Sequence, residues 1–194
     1  RAAYALSRPP GHHAFGDLAG GFCFLNNSGI AAEYLRRAGK RPAILDVDVH
    51  HGNGTQGIFY DRADVLTVSL HADPERFYPF FWGHASERGE GPGLGYNLNL
   101  PLPRGTLIED YLRALDTALT RIALFGADVI VVALGLDAHE NDPLKGLALT
   151  TPDFTRMAKT ITATGLPVVL VQEGGYLSDD LGHNLTAFLQ GCEG

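Results

Sequence analysis

The chain has 194 residues, with 15 basic and 22 acidic side chains and a formal net charge of −7. This acidic balance, together with the lack of a basic patch or an aromatic–basic stripe, disfavours a nucleic-acid partner. No apolar stretch is long enough to cross a membrane, so no membrane partner is expected and we predict a cytoplasmic location.

Hydrophobic periodicity predicts strands and helices that alternate along the chain. In chain order we predict a helix at 26–38, a strand at 43–49, a helix at 54–60, a strand at 65–70, a long loop at 72–95, a strand at 96–100, a helix at 107–125, a strand at 128–134, a helix at 152–164, a strand at 167–172 and a final helix. Thr151 is predicted to cap the helix whose first position is Pro152. The alternation predicts an α/β fold of three layers, in which helices cover both faces of a mostly parallel sheet. We expect a single domain over residues 1–194.

The predicted loop at 72–95 is too long to serve only as a connection, because loops of this length in compact domains are usually functional or disordered. It carries the aromatic residues Phe77, Tyr78, Phe80, Phe81 and Trp82. Three interpretations stay open at this point. In the first the aromatic side chains line a pocket, in the second they form a contact between subunits, and in the third they pack as an ordinary part of the core.

The end of the predicted strand at 43–49 carries three side chains of the kind that bind metals. Side chains of a strand alternate between its two faces, so Asp46, Asp48 and His50 share one face and the intervening valines lie on the other. A single aspartate after a buried strand is often only a helix cap. Two carboxylates and an imidazole on one face, followed by a glycine loop, are instead typical of half a metal site.

A second strand end supplies another acid. The apolar run at 128–134 is typical of a strand buried on both faces of a parallel sheet. Asp137 follows it, where ligands bind in open α/β sheets. Asp48, His50 and Asp137 would give an oxygen–nitrogen–oxygen set with a position left for water, as in catalytic zinc sites. A chain with two cysteines cannot form a cysteine-rich structural site, but this ligand set could also accept Fe²⁺ or Co²⁺.

Two further segments offer groups that a hydrolytic reaction needs. His12 and His13 lie together in a Pro/Gly-rich loop, and imidazole can take up and return a proton near neutral pH. Tyr176 follows the predicted strand at 167–172 after a Gly-Gly turn, which would let its hydroxyl reach a substrate oxygen. Taken alone, the histidines could be merely exposed and the turn could be ordinary.

Six segments occur in the order and spacing of one known family. They are RPPGHHA at 8–14, GFCFLNN at 21–27, DVDVHHG at 46–52, SLH at 69–71, GLD at 135–137 and GGY at 174–176. On these motifs the chain resembles the histone deacetylase superfamily, which also contains the bacterial acetylpolyamine amidohydrolases. The segment at 77–84 resembles the polyamine-deacetylase-type members most.

The resemblance implies zinc-dependent hydrolysis of an acetyl amide. It implies that the zinc ligands are Asp48, His50 and Asp137. His12 and His13 would be the paired catalytic histidines, with Asp46 as the partner of His12. His13 would act as general base toward the attacking water and later protonate the leaving amine. Tyr176 would polarise the acetyl carbonyl and stabilise the oxyanion.

The resemblance also implies binding positions around this centre. The residues that would line a narrow acyl-chain tunnel are Gly21, Phe22, Tyr78 and Gly174. A structural K⁺ or Na⁺ would lie behind the zinc, held by Asp46, Asp48, His50, Ser69 and Leu70. A second such site would involve Phe59, Val65 and Tyr96.

Three departures from the family pattern change these expectations. Tyr78 stands where relatives commonly have Phe, which adds a hydroxyl to the tunnel wall. Asn53 replaces an acid that many members place beside the second histidine, so His13 should be less basic and more often neutral at pH 7. The chain opens on Arg1, without the substantial portion that the family normally carries before its His-His segment. We therefore expect part of the sheet to be missing at the N-terminus, which leaves the activity of the shortened chain open.

Three functions follow from these patterns. The leading one is a metal-dependent deacetylase of a small acetylated amine, such as an acetylpolyamine, or of acetyl-lysine. An acidic protein is compatible with a cationic substrate of this kind. The alternative is a truncated protein of the same fold that binds metal without catalysis. A hydrolase of the arginase fold with paired manganese is disfavoured, because two-metal sites usually require extra bridging acids. Whether the chain forms a homo-oligomer stays open.

Overall fold

We describe residues 2–193 in a computed structural model of the chain. The strands are β1 (Ala2–Ala5), β2 (Pro42–Asp46), β3 (Leu66–Ala72), β4 (Asn97–Leu102), β5 (Val129–Leu134) and β6 (Val168–Gln172). The helices are α1 (Asn27–Arg37), α2 (Asn53–Phe59), α3 (Ile108–Phe125), α4 (Thr151–Thr162) and α5 (Leu181–Cys192). Two short 3₁₀ turns, Pro74–Arg76 and Gly91–Gly93, lie in the long loop between β3 and β4.

The six strands form one parallel sheet in the order β1-β6-β5-β2-β3-β4. From β2 the chain builds β3 and β4 outward on one side, then crosses over to add β5 and β6 on the other. The direction of winding therefore reverses between β2 and β5, where Asp46 pairs with Ala133. In open α/β sheets such a switch point leaves a crevice at the carboxyl ends of the strands, which is where ligands bind.

Helices cover both faces of the sheet. Alternate side chains of the central strands enter two separate apolar clusters, since Leu45 lies in the larger cluster and Ile44 in the smaller. The larger cluster includes Tyr111 of α3 and Phe154 of α4, and the smaller includes Ala32 of α1. The predicted α/β fold of three layers with a parallel sheet is therefore confirmed.

Some predicted boundaries are wrong. The sequence predicts a strand to Val49, but β2 ends at Asp46. There the Asp46 side chain accepts a hydrogen bond from the backbone N–H of Asp48, and the Asp48 side chain accepts one from His50. Aspartate side chains that bond the backbone two residues on form turns and compete with strand pairing. The alternation nevertheless persists, because Val47 and Val49 both enter the larger core cluster.

Two other predictions of secondary structure are corrected, one at the N-terminal strand and one at the start of α4. Strand β1 is not predicted, because its short sequence is mostly exposed and shows no alternation. Thr150, rather than Thr151, caps α4. The Asp153 carboxylate accepts hydrogen bonds from the Thr150 backbone N–H and hydroxyl, and the Asp153 N–H donates to the Thr150 carbonyl. Within residues 2–193, none of the helices is both long and apolar enough to cross a membrane.

Candidate active site

The predicted metal ligands converge in the crevice between β2 and β5. Nδ1 of His50 lies 3.0 Å from Oδ1 of Asp48 and 3.1 Å from Oδ2 of Asp137. One ligand atom from each of the three residues lies within 4.8 Å of the other two, and all three residues are buried. The backbone orients the carboxylates, because Asp48 accepts a hydrogen bond from the Gly174 N–H and Asp137 accepts one from the Val49 N–H.

The charges of this cluster fit a divalent cation. Burial lowers the pKa of His50, but the hydrogen bonds and charges of Asp137 and Asp48 outweigh burial and raise it to about 10. Burial and the neighbouring charge of Asp48 raise the pKa of Asp137 to about 7. Positive charge between the two buried carboxylates is thus favourable. The oxygen–nitrogen–oxygen donor set suits Zn²⁺, Fe²⁺ or Co²⁺.

The tandem histidines lie beside this cluster with different partners. Nδ1 of His12 is 2.9 Å from Oδ2 of Asp46, and Nδ1 of His13 is 2.7 Å from Oδ1 of Asn53 at the start of α2. The two rings lie 4.0 Å apart, centroid to centroid. Because both acceptors are oxygens, each Nδ1 donates the hydrogen. Nε2 of His12 lies 3.8 Å from Oδ1 of Asp48.

The two imidazoles differ in pKa because their surroundings differ. Burial opposes a charge on His12, but Asp46 and Asp48 outweigh it and raise the pKa of His12 well above its usual value. Burial, together with the charge of His12, lowers the pKa of His13 well below its usual value. The expected low basicity of His13 is thus found, and its main causes are burial and the charge of His12. The hydrogen bond to Asn53 acts in the opposite direction and raises this pKa. The comparison with an acid at position 53 stays a prediction.

A cavity of about 740 Å³ opens onto the cluster and the histidines. Besides those groups, its lining includes the predicted tunnel residues Gly21, Phe22, Tyr78 and Gly174, and also Tyr176. Gly21 has a φ of +53°, and a Cβ added there would collide with the His13 ring, so glycine lets the wall approach the imidazole. Burial and the nearby carboxylates raise the pKa of Tyr176, which keeps its hydroxyl protonated.

The aromatic residues of the long loop do not share one role. Phe77 is buried and stacks on His50 with a centroid distance of 4.9 Å, so it packs behind the metal cluster. Tyr78 lines the cavity with its ring edge-on to His13 at 4.9 Å. Phe80 and Phe81 are exposed and are absent from the cavity lining. Packing and pocket lining therefore both occur, and the idea of a subunit contact stays a prediction.

The predicted monovalent-cation residues lie around β3. Ser69 pairs with Asp46 across the sheet, and its hydroxyl lies 2.8 Å from Nδ1 of His71. The residues of the second predicted site lie at the end of α2 and just before β3 and β4: Phe59, Val65 and Tyr96. Cation binding at either site stays a prediction.

Sequence reasoning missed a buried acid beside the tandem histidines. Oε2 of Glu173 accepts hydrogen bonds from the N–H groups of Gly11 and His12 at 2.6 and 3.0 Å, and Oε1 accepts one from the Ser28 hydroxyl at 2.8 Å. The available signal was an acid directly after an apolar strand, the same signal that indicated Asp137. A second missed acid, Asp142, is buried and accepts a hydrogen bond from the Tyr176 N–H.

The chain was compared with known proteins. Residues 1–192 match the histone deacetylase domain. The chain belongs to this family. It is 51% identical to acetylpolyamine amidohydrolase 1 of Pseudomonas aeruginosa and 50% identical to the acetylpolyamine amidohydrolase of Mycoplana ramosa, over 100% of this chain in both cases. A crystal structure of acetylpolyamine aminohydrolase from Burkholderia pseudomallei superposes with a TM-score of 0.96 at 51% identity, over 98% of this chain.

The chain spans little more than half the length of these relatives. It covers 56% of the Pseudomonas protein, 57% of the Mycoplana protein and 56% of the Burkholderia chain. The family resemblance stated from six sequence motifs is confirmed. The likeness extends to the fold, since the superposition covers 98% of this chain.

Proposed function

We propose that this chain carries the catalytic centre of a metal-dependent deacetylase that hydrolyses a small acetylated amine of the acetylpolyamine type. The observation that carries the proposal is the convergence of Asp48, His50 and Asp137 in the cavity beside two imidazoles in different charge states. The relatives named as acetylpolyamine amidohydrolases support the choice of substrate.

The metal would be held by the Asp48–His50–Asp137 cluster. A bound divalent cation supplies Lewis acidity toward the acetyl carbonyl and lowers the pKa of a coordinated water. Zinc is our first choice of ion, and a structural K⁺ or Na⁺ near Ser69 and Leu70 forms part of the proposal.

The residues around the cluster have separate tasks in this reaction. His13 is neutral, so Nε2 accepts a proton from the attacking water and later returns it to the leaving amine. His12 is held cationic by Asp46 and keeps the basicity of His13 low. Tyr176 keeps its hydroxyl proton and donates a hydrogen bond to the oxyanion, a role typically worth about 3 kcal/mol.

The proposal is tested by measuring acetate release from acetylputrescine, acetylspermidine and an acetyl-lysine peptide with the zinc-loaded chain. We expect release from the polyamines, and preference for the peptide would move the assignment to lysine deacetylation. Tyr176→Phe should keep zinc and lose roughly a hundredfold or more in kcat. Asp137→Asn should lose zinc together with activity.

One alternative function has its own outcome in this experiment. A chain that binds zinc stoichiometrically and releases no acetate from any substrate would be a metal-binding protein of this fold. This alternative is tested because the chain spans 56% and 57% of the length of the two relatives.

A further inference from the structure

Glu173 has no role in the reaction proposed above, although it contacts the segment that carries His12 and His13. Its side chain is buried, and its two oxygens accept three hydrogen bonds: from the backbone N–H groups of Gly11 and His12 and from the hydroxyl of Ser28. Two consecutive amides of the histidine loop thus point at one carboxylate oxygen. Hydrogen bonds from N–H groups to a carboxylate are shorter and stronger than bonds between neutral groups.

Both rings of the histidine loop (residues 8–14) are held from the β2 side of the crevice. Asp46 at the end of β2 holds the His12 ring, and Asn53 at the start of α2 holds the His13 ring. The backbone of the loop is tied to the same side, since the His12 carbonyl accepts a hydrogen bond from the Thr55 N–H.

At the start of α1, Asn26 and Asn27 donate to the carbonyls of Ala14 and Pro9. Glu173, which directly follows β6, anchors the loop from the opposite side of β5, where the Ser7 hydroxyl just before the loop also donates to the Gln172 carbonyl.

The turn that carries Glu173 also serves the rest of the centre. The next residue, Gly174, donates its N–H to Asp48 at 2.8 Å, and Tyr176 lines the cavity two residues further on. One short turn after β6 therefore fixes the histidine loop, a metal ligand and the phenol relative to one another.

We propose that Glu173 is a positioning residue that holds the imidazoles of His12 and His13 in place beside the metal cluster. Its effect on turnover rests on the proposed deacetylase function, whereas the position of the imidazoles does not. The positioning role depends on where the hydrogen-bond acceptors lie. The negative charge of Glu173 also helps to raise the pKa of His12, but it contributes less than Asp46 and Asp48.

Two substitutions separate position from charge. Glu173→Asp keeps the charge but withdraws the carboxylate by the length of one C–C bond, about 1.5 Å. Glu173→Gln removes the charge but keeps the shape, because its oxygen can accept from both amides while its NH₂ donates to Ser28. The matched control is Asp153→Asn, since Asp153 is also buried and accepts from a backbone N–H and a hydroxyl, but at the start of α4.

The test measures kcat, KM, zinc content and the imidazole ¹⁵N NMR signals of His12 and His13. For Glu173→Asp we expect kcat to fall roughly ten- to a hundredfold, because a displacement of about 1 Å near the reacting groups is costly. KM should change less than about threefold and zinc should stay bound. Both imidazole signals should shift. Glu173→Gln and Asp153→Asn should keep the wild-type signals and kcat within about threefold.

Two results would overturn the proposal. One is a Glu173→Asp variant with wild-type kcat and wild-type imidazole signals. The other is a Glu173→Gln variant that loses as much as Glu173→Asp, since charge would then be what matters. If the wild-type chain releases no acetate, the deacetylase assignment fails by itself. The imidazole signals of the two variants then still decide whether Glu173 positions the histidines.

Discussion

Among single residues, the buried imidazoles of this chain differ in charge because their partners differ. His12 faces two carboxylates, which raise its pKa in spite of burial. His71 is equally buried, but it faces the Gly83 carbonyl through Nε2 and the Ser69 hydroxyl through Nδ1. A carbonyl fixes the Nε2 proton and a hydroxyl can donate to Nδ1, so this site is built for the neutral ring. Burial accordingly lowers the pKa of His71 to about 4.

This difference predicts how acid destabilises the fold. His71 has a usual pKa of 6.5 and a folded value of about 4, so the unfolded chain takes up the proton first as the pH falls. Stability is therefore lost between about pH 6.5 and pH 4, by an amount on the order of 3 kcal/mol. His71→Gln keeps a donor for Gly83 but does not titrate, so its free energy of unfolding should fall less over this window. Urea denaturation of both proteins at stepped pH measures the difference. Parallel curves would contradict the prediction, because the remaining titrating groups are common to both.

The residue types of the site could be predicted from the sequence, but their energetics could not. Asp48, His50 and Asp137 could be found because ligand-type side chains directly follow apolar strands. The low basicity of His13 was expected because residue 53 is an amide and not an acid, but the sequence could not indicate the two main causes, which are burial and the charge of His12. Both causes depend on side-chain distances that no local pattern contains.

Among elements, the turns that follow the strands control how closely the side chains at the carboxyl ends of neighbouring strands approach one another. The sequence predicts the central strands well, because their apolar runs match strands buried on both faces. It does not predict where β2 ends, since aspartate side chains replace strand pairing there. The turn after β6 is a related case, because Gly174 packs directly against Asp48 and Asp137, two of the proposed metal ligands.

A substitution in that turn tests its role. A Cβ on Gly174 would lie 2.5 Å from Oδ2 of Asp48 and 2.6 Å from Oδ2 of Asp137. Both carboxylates would have to move, so Gly174→Ala should weaken zinc binding by roughly tenfold or more, as changes around metal ligands commonly do. Gly182→Ala is the matched control, since a Cβ on Gly182 meets nothing within 4 Å. Competition with a chromogenic chelator measures both affinities. Equal affinities would show that the ligands tolerate displacement.

At the scale of the whole molecule, the centre exists only when distant parts of the chain are folded together. The histidine loop precedes α1, two of the proposed metal ligands follow β2, the third follows β5, and Tyr176 follows β6. The order of strands that brings these ends together involves a crossover, and crossovers leave no signal in local periodicity. The family resemblance supplied that long-range information, and the sheet order explains it through the switch point between β2 and β5.

Because the ligands meet only in the folded state, zinc should stabilise the whole chain. At a free zinc concentration one hundred times Kd, the gain is about 2.7 kcal/mol, which should raise Tm measurably above that of the EDTA-treated protein. Asp137→Asn is the matched variant, because its remaining oxygen can still accept from the Val49 N–H while the second carboxylate oxygen facing His50 is lost. Its Tm should not respond to zinc. Metal analysis should give one zinc per wild-type chain, since the three buried ligands form one cluster. A wild-type Tm that zinc leaves unchanged would contradict the site, and two metals per chain would favour the paired-metal chemistry of the arginase fold.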